Sequence, residues 1–271
     1  MDKVILTVAT TGSWGSKNDS PYIPLSPEEI AEEVVNCSMA GASLAHIHAR
    51  DENGNESLST DIFSDIVGRI KEKNDDLILN MTTAGPPPHE NRMIPIKAIK
   101  PEMASFDCGS MNWLHKHVFV NSPEFLENLG MCMQKNNIKP EVEIFDSGMM
   151  YNALHYIKRG ILKSPVHFQF VLGAPGGMKA TVKNLLFLQE MLPENSTWSA
   201  FGIGKDHLKI MYASLALGAT GIRVGMEDNL YYEKGILAKS NVEFVERAVR
   251  VIEEFGKKPA TPSEAREILN L

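Results

Sequence analysis

A chain of 271 residues, 43% of them hydrophobic, can bury a sizeable core and has the usual length of one α/β barrel. Its 27 basic and 34 acidic residues are interspersed, and a net charge of −7 leaves no basic footprint for nucleic acid or anionic lipid. The apolar start at 4–8 runs at once into Thr10, Thr11 and Gly12, too short for a membrane span and unlike a secretory signal, so a cytoplasmic protein is expected.

Taken in chain order, β-rich runs at 4–9, 44–48, 77–80, 103–106, 141–145, 166–172, 197–201 and 221–224 read as eight strands. Helical spacing fills the intervals, as in Ile62, Ile66 and Ile70, and in Leu208, Met211 and Leu215. Ser26-Pro27-Glu28-Glu29 carries an N-cap serine, a proline at the first helical position and a capping-box glutamate. Thr261-Pro262-Ser263-Glu264 repeats that pattern and opens a ninth, C-terminal helix, an extension of the kind that often packs on a neighbouring subunit. Eight βα units without interruption predict one domain over 1–271, a closed parallel (β/α)8 barrel of the TIM type with an extra C-terminal helix. The long irregular stretches 10–25, 82–95, 108–121 and 225–240 each follow a strand, at the face where such barrels carry their chemistry. Cys37, Cys108 and Cys132 are odd in number and widely spaced, which predicts reduced, structural thiols rather than a disulfide framework or a thiolate metal site.

His46-Ile47-His48 closes the second predicted strand, and side-chain alternation puts both imidazoles on one side. Two readings stand at that point, a metal pair aimed into the barrel or two core histidines bonded to backbone. Glu227, just past the eighth strand, is the candidate third ligand, and three protein ligands with an open position suit a catalytic zinc. Glu143, alternating with Val142 and Ile144, needs a partner if it is buried. Arg223 lies four residues from Glu227 and five from Asp228, close enough to orient a carboxylate or to form a structural ion pair. Two glycine turns, around Gly176 and in Gly202-Ile203-Gly204-Lys205, follow the sixth and seventh strands, where a barrel commonly binds phosphate; tight-turn geometry alone also explains them.

Together the segments Thr11-Gly12, Gly41-Ala42-Ser43, His46-Ile47-His48-Ala49-Arg50-Asp51, Phe106-Asp107-Cys108-Gly109-Ser110, Glu143-Ile144-Phe145-Asp146-Ser147-Gly148 and Arg223-Val224-Gly225-Met226-Glu227-Asp228-Asn229 resemble the bacterial β-keto acid cleavage enzymes. The resemblance runs on through Lys234-Gly235-Ile236-Leu237-Ala238-Lys239-Ser240-Asn241 and Ala260-Thr261-Pro262. It implies one zinc per chain on His46, His48 and Glu227, with Asp228 as base and Arg223 orienting it. It further implies substrate contacts from Thr82, Ser105, Glu143 and the residue at 14, with Gly176, Gly204 and Lys205 as candidates for coenzyme A. The implied reaction converts a β-keto acid and acetyl-CoA into acetoacetate and a new acyl-CoA, in a homo-oligomer that is tetrameric by the same likeness. Members that accept an amino-bearing substrate carry Glu where this chain has Trp14, so the expected substrate lacks a primary amine. The alternative is a metal-dependent hydrolase or aldolase on the same barrel, acting without coenzyme A.

Overall fold

The computed structural model describes residues 2–271. Eight parallel strands close into a ring: β1 (Lys3–Ala9), β2 (Leu44–Ile47), β3 (Ile78–Met81), β4 (Met103–Asp107), β5 (Lys139–Ile144), β6 (His167–Leu172), β7 (Thr197–Gly202) and β8 (Gly221–Val224). Closure comes from β8 pairing with β1, Ile5 opposite Gly221 through Val8 opposite Val224. Helices α1 (Pro27–Met39), α2 (Thr60–Lys73), α3 (Ile94–Ile99), α4 (Pro123–Lys135), α5 (Ser147–Lys158), α6 (Val182–Gln189), α7 (His207–Ala216) and α8 (Asn241–Glu254) follow the strands in turn. Both expected capping boxes form, at Ser26 with Glu29 and at Thr261 with Glu264, so α1 and α9 (Pro262–Leu269) start where the sequence places them.

The strands are buried on both faces, and their two faces do different work. Outward residues such as Val4, Leu6, Val8, Phe168 and Phe170 join the helices in the main apolar core. Inward residues form layers. Ile5, Leu44, Ile78 and Met103 make an apolar plug at the N-terminal end of the barrel, closed from below by Ala260, Ala265 and Leu269. The ninth helix packs its apolar stripe, Ala265 and Leu269, on its own barrel, and Arg266 fixes it there through Glu102 and Asp76. Above the plug the inward positions turn polar: His46, Asn80, Glu141, Gln169 and Ser199 are all buried. Asn80 donates to Glu141 Oε1 at 2.6 Å, and Ser199 donates to Gln169 Oε1, so the polar layer is knitted across strands as burial demands.

At the C-terminal end three short hairpins rise above the ring, Ala49–Arg50 with Glu56–Ser57, Met111–Trp113 with His117–Phe119, and Tyr231–Glu233 with Ile236–Leu237. The second and third lie in stretches that the sequence reading left irregular. Among the described residues no helix is long and apolar enough to cross a membrane. All three cysteines are buried and unpaired.

Candidate active site

Two of these hairpins, those bearing Glu56 and Trp113, border a cavity of about 360 Å³, within the usual range for a small-molecule site. His46 and His48 project into it, the first 2% and the second 4% exposed, while Ile47 between them joins the outer core. Their rings lie edge to face with centroids 5.1 Å apart. His48 falls just past β2, yet the chain stays extended, so alternation still aims both imidazoles the same way.

The turn after β8 brings the third group. Gly225 sits at φ +142°, and a Cβ there would stand 2.0 Å from the Ala9 carbonyl oxygen, so only glycine fits. Because the turn lies against β1, the Glu227 amide donates to Ala9 O at 3.2 Å. Ala9 is the register partner of His46, and Glu227 consequently faces the two histidines. Its Oε1 lies 3.4 Å from His48 Nε2 and 3.8 Å from His46 Nε2. Gly12 leaves room for it: a Cβ on Gly12 would meet Glu227 Cγ at 2.7 Å.

One ligand atom from each of His46, His48 and Glu227 lies within 4.8 Å of the other two. Burial pushes His46 well below the usual imidazole range, leaving it neutral as a metal ligand must be. Burial opposes ionisation of Glu227, but Arg223, His48 and His46 outweigh it and hold the carboxyl low. The Nδ1 atoms of both histidines and Oε2 of Glu227 have no hydrogen-bond partner among the described residues. Two imidazoles and one carboxylate with unsatisfied donor atoms fit a divalent metal with an open position.

Arg223, buried at the end of β8, organises the carboxylates around it. Its Nε and Nη2 donate to Asp228 Oδ2 and Oδ1, both at 2.9 Å, in a bidentate pair. Nη2 also donates to Glu227 Oε1 at 2.7 Å, and Nη1 reaches Glu143 Oε1 at 3.4 Å. The guanidinium stacks 4.4 Å from the Phe201 ring. Burial raises the Asp228 carboxyl to about 6 despite the Arg223 charge, so it is a stronger base than an exposed carboxylate yet ionised at neutral pH.

Glu143, Thr82, Ser105 and Trp14 all line the same cavity. Ser105 Oγ accepts from the Thr83 amide at 2.9 Å and Thr82 Oγ1 from the Ala84 amide at 3.0 Å, which fixes both hydroxyls. The glycine turns are placed differently. Gly176, at φ +104°, packs so that a Cβ would lie 2.0 Å from Asn112 O, giving its lack of a side chain a packing role. Gly204 donates its amide to the Asp228 carbonyl at 2.8 Å and starts a short helical turn carrying exposed Lys205; none of the three lines the cavity.

Asp107 escaped the sequence reading. It is the register partner of Glu143, its carboxyl lies within hydrogen-bonding reach of Glu143, and burial raises both. Strand alternation with Ser105 was the available signal. Glu56 also lines the cavity, from a two-residue strand that no periodicity announces.

With this geometry in view, the comparisons are specific. The family model for beta-keto acid cleavage enzyme matches residues 3–271. The 3-keto-5-aminohexanoate cleavage enzyme of Fusobacterium nucleatum is 40% identical over 273 residues, covering 100% of this chain and 99% of the relative. The 3-dehydrocarnitine:acetyl-CoA trimethylamine transferase of Rhizobium meliloti is 32% identical over 292 residues, covering 99% and 97%. Among solved structures, the ternary complex of ObcA with a C4-CoA adduct and oxalate superposes with a TM-score of 0.85 at 21% identity, over 95% of this chain and 69% of that one, a likeness of fold. A match along the whole chain, with relatives this similar from end to end, makes the protein an enzyme of the beta-keto acid cleavage family.

Proposed function

We propose that the enzyme converts a β-keto acid and acetyl-CoA into acetoacetate and a new acyl-CoA, with one zinc ion held by His46, His48 and Glu227. The observation that carries this reading is the bidentate Arg223–Asp228 pair at the lip of the three-ligand cluster, a fixed base beside a metal-binding set. The acetyl-CoA requirement is supported by the name of the Rhizobium meliloti relative. When bound, zinc supplies Lewis-acid polarisation of the keto oxygen and carboxylate of the substrate.

The protein's own part is positional and acid–base. Thr82 and Ser105 hold the substrate's oxygens, and Arg223 keeps Asp228 aimed at the carbon between keto and carboxylate groups. Asp228 removes a proton from that carbon. The resulting enolate attacks the acetyl thioester carbonyl, forming a carbon–carbon bond and expelling CoA thiolate. The thiolate then adds to the original acyl carbonyl. Cleavage of the old carbon–carbon bond yields acyl-CoA and an acetoacetate enolate, which recovers the proton from Asp228, so atoms and charge balance. Lys205, exposed at a helix start after β7, is the candidate contact for the phosphates of coenzyme A, with Gly176 and Gly204 shaping the turns beneath.

The proposed tail preference rests on Trp14: an indole stands at the cavity where an ammonium-binding carboxylate is expected, and it favours tails without a primary amine, because the ring itself offers no hydrogen-bond acceptor to an ammonium group. The proposed assembly is a cytoplasmic homo-oligomer, checked by light scattering. The deciding experiment mixes purified enzyme with β-keto acids in the presence and absence of acetyl-CoA. Acetoacetate is expected only with both. Equal release without acetyl-CoA moves the assignment to a lyase or hydrolase, and active protein devoid of metal on elemental analysis removes the zinc. Best activity on a primary amine refutes the tail preference.

A further inference from the structure

Two side chains at the cavity take no part in the chemistry above. Trp14 offers an indole that is 44% exposed, and Glu56, on the hairpin that follows β2, offers a partly buried carboxylate. Arg50 ties their two segments together. Its backbone is the antiparallel partner of Glu56. Its guanidinium, 3% exposed as a residue, donates from Nε to Gly12 O at 2.6 Å, from Nη1 to Gly54 O at 2.7 Å, and from Nη2 to the carbonyls of Trp14 and Gly15. The loop bearing Trp14 is thereby clamped to the hairpin bearing Glu56.

The clamp leaves Glu56 uncommitted. Arg50 gives its donors to main-chain carbonyls. Arg92, the other buried cation within the electrostatic reach of Glu56, gives its own to Thr83 O, Val120 O and Asn121 Oδ1. Among the described residues Glu56 forms no side-chain hydrogen bond or ion pair, although it faces the cavity. A carboxylate without a partner beside an aromatic face is complementary to a cation. The indole favours a cation whose charge is spread over methyl surface, because such a group needs no acceptor where it meets the ring, while Glu56 acts on it through space. An anionic tail meets repulsion from Glu56 and gains nothing from the indole.

We infer that Glu56 and Trp14 together receive a cationic, N-alkylated tail of the β-keto acid, Glu56 as through-space counter-charge and Trp14 as the cation–π wall. This deepens the reading of the cavity as a β-keto acid site and rests on it. Glu56 thus takes over, from a neighbouring loop, the charge that position 14 lacks.

The test uses an isosteric pair, a β-keto acid ending in trimethylammonium and its tert-butyl analogue, which differ in charge and scarcely in shape. The native enzyme is expected to favour the cation in kcat/KM by about tenfold or more, and Glu56→Gln to cut that ratio about tenfold, as removal of a unit charge under partial screening implies. Trp14→Leu is expected to lower the ratio as well. A native preference for the tert-butyl acid, or a ratio untouched in Glu56→Gln, overturns the inference. Calorimetric binding of the corresponding unreactive β-hydroxy acids to both proteins gives the same ratio without turnover. If neither keto acid yields acetoacetate with acetyl-CoA, the proposed reaction falls, while the binding ratio still upholds or overturns the role of Glu56.

Discussion

Gly12→Ala is the most discriminating perturbation of the candidate metal centre, because it displaces Glu227 without replacing any ligand. The new methyl group would lie 2.7 Å from Glu227 Cγ and 3.2 Å from Cδ, where ordinary contact begins at 3.4 Å, so Glu227 must yield by about 0.7 Å. Neither side yields easily. The Gly12 carbonyl accepts from buried Arg50 at 2.6 Å, which pins the loop, and Arg223 holds the Glu227 carboxylate at 2.7 Å from behind. Metal–ligand distances tolerate about 0.2 Å, and disturbing the groups that orient a ligand typically lowers affinity about 10–100-fold, or ~1.4–2.7 kcal/mol. Gly12 does not adopt a positive φ. The metal-free protein should therefore lose less melting temperature than backbone strain would cost, because the overlap falls on the Glu227 side chain. Zinc affinity by competition with a chromophoric chelator, together with melting of the metal-free protein, makes the check. Unchanged zinc affinity in the variant refutes the placement of Glu227. A melting temperature that falls as far as the affinity shows instead that the backbone, not Glu227, has given way.

Three further outcomes follow from separate parts of the structure. Asp228→Asn should retain zinc by elemental analysis and lower kcat about 10²–10⁴-fold, the usual share of a general base, whereas His46→Ala should lose both zinc and turnover with the fold preserved in circular dichroism. Arg92→Met should cost ~3–5 kcal/mol in urea unfolding: the side chain is fully buried, its Nη2 is 3.9 Å from Asp107 Oδ2, and its loss strands a buried carboxylate; adding Asp107→Asn should recover part of the loss. Cys37, Cys108 and Cys132 are buried, and burial pushes all three thiols up, so Ellman's reagent at pH 8 should find essentially none of them in native protein and all three in denaturant.

The legible and illegible parts of this molecule divide along a physical line. All eight barrel strands could be read, because a parallel strand buried on both faces is a continuous β-rich run. Their ends moved by a residue or two where neighbours decide pairing: β5 begins at Lys139 because it aligns there with Met103. His46, His48, Glu143 and Arg223 were legible because inward direction follows from alternation, whereas Glu227 and Asp228, in the turn after β8, were legible from their place at the barrel mouth and from the resemblance. The surface that α9 covers was not legible, because an amphipathic stripe states only that something covers it; the apolar plug beneath the barrel, assembled from four separate strands, takes shape only when the ring closes.

The walls of the cavity resist reading for a further reason. Trp14 and Glu56 stand 42 positions apart in the sequence and belong to no common period, and each taken alone has an ordinary explanation as loop filling or as a solvated charge. What joins them is the Arg50 guanidinium, whose donors go to backbone carbonyls, acceptors that every residue type presents alike. A strand end thus announces its catalytic side chains through alternation, but a clamp onto main chain leaves no mark on the residues it holds. On the proposed reading, substrate choice is built from such contacts, and the identity of residue 14 alone does not determine it. A carboxylate lost from one loop can be supplied by the next, and the charge of the pocket has to be counted over the folded mouth rather than position by position.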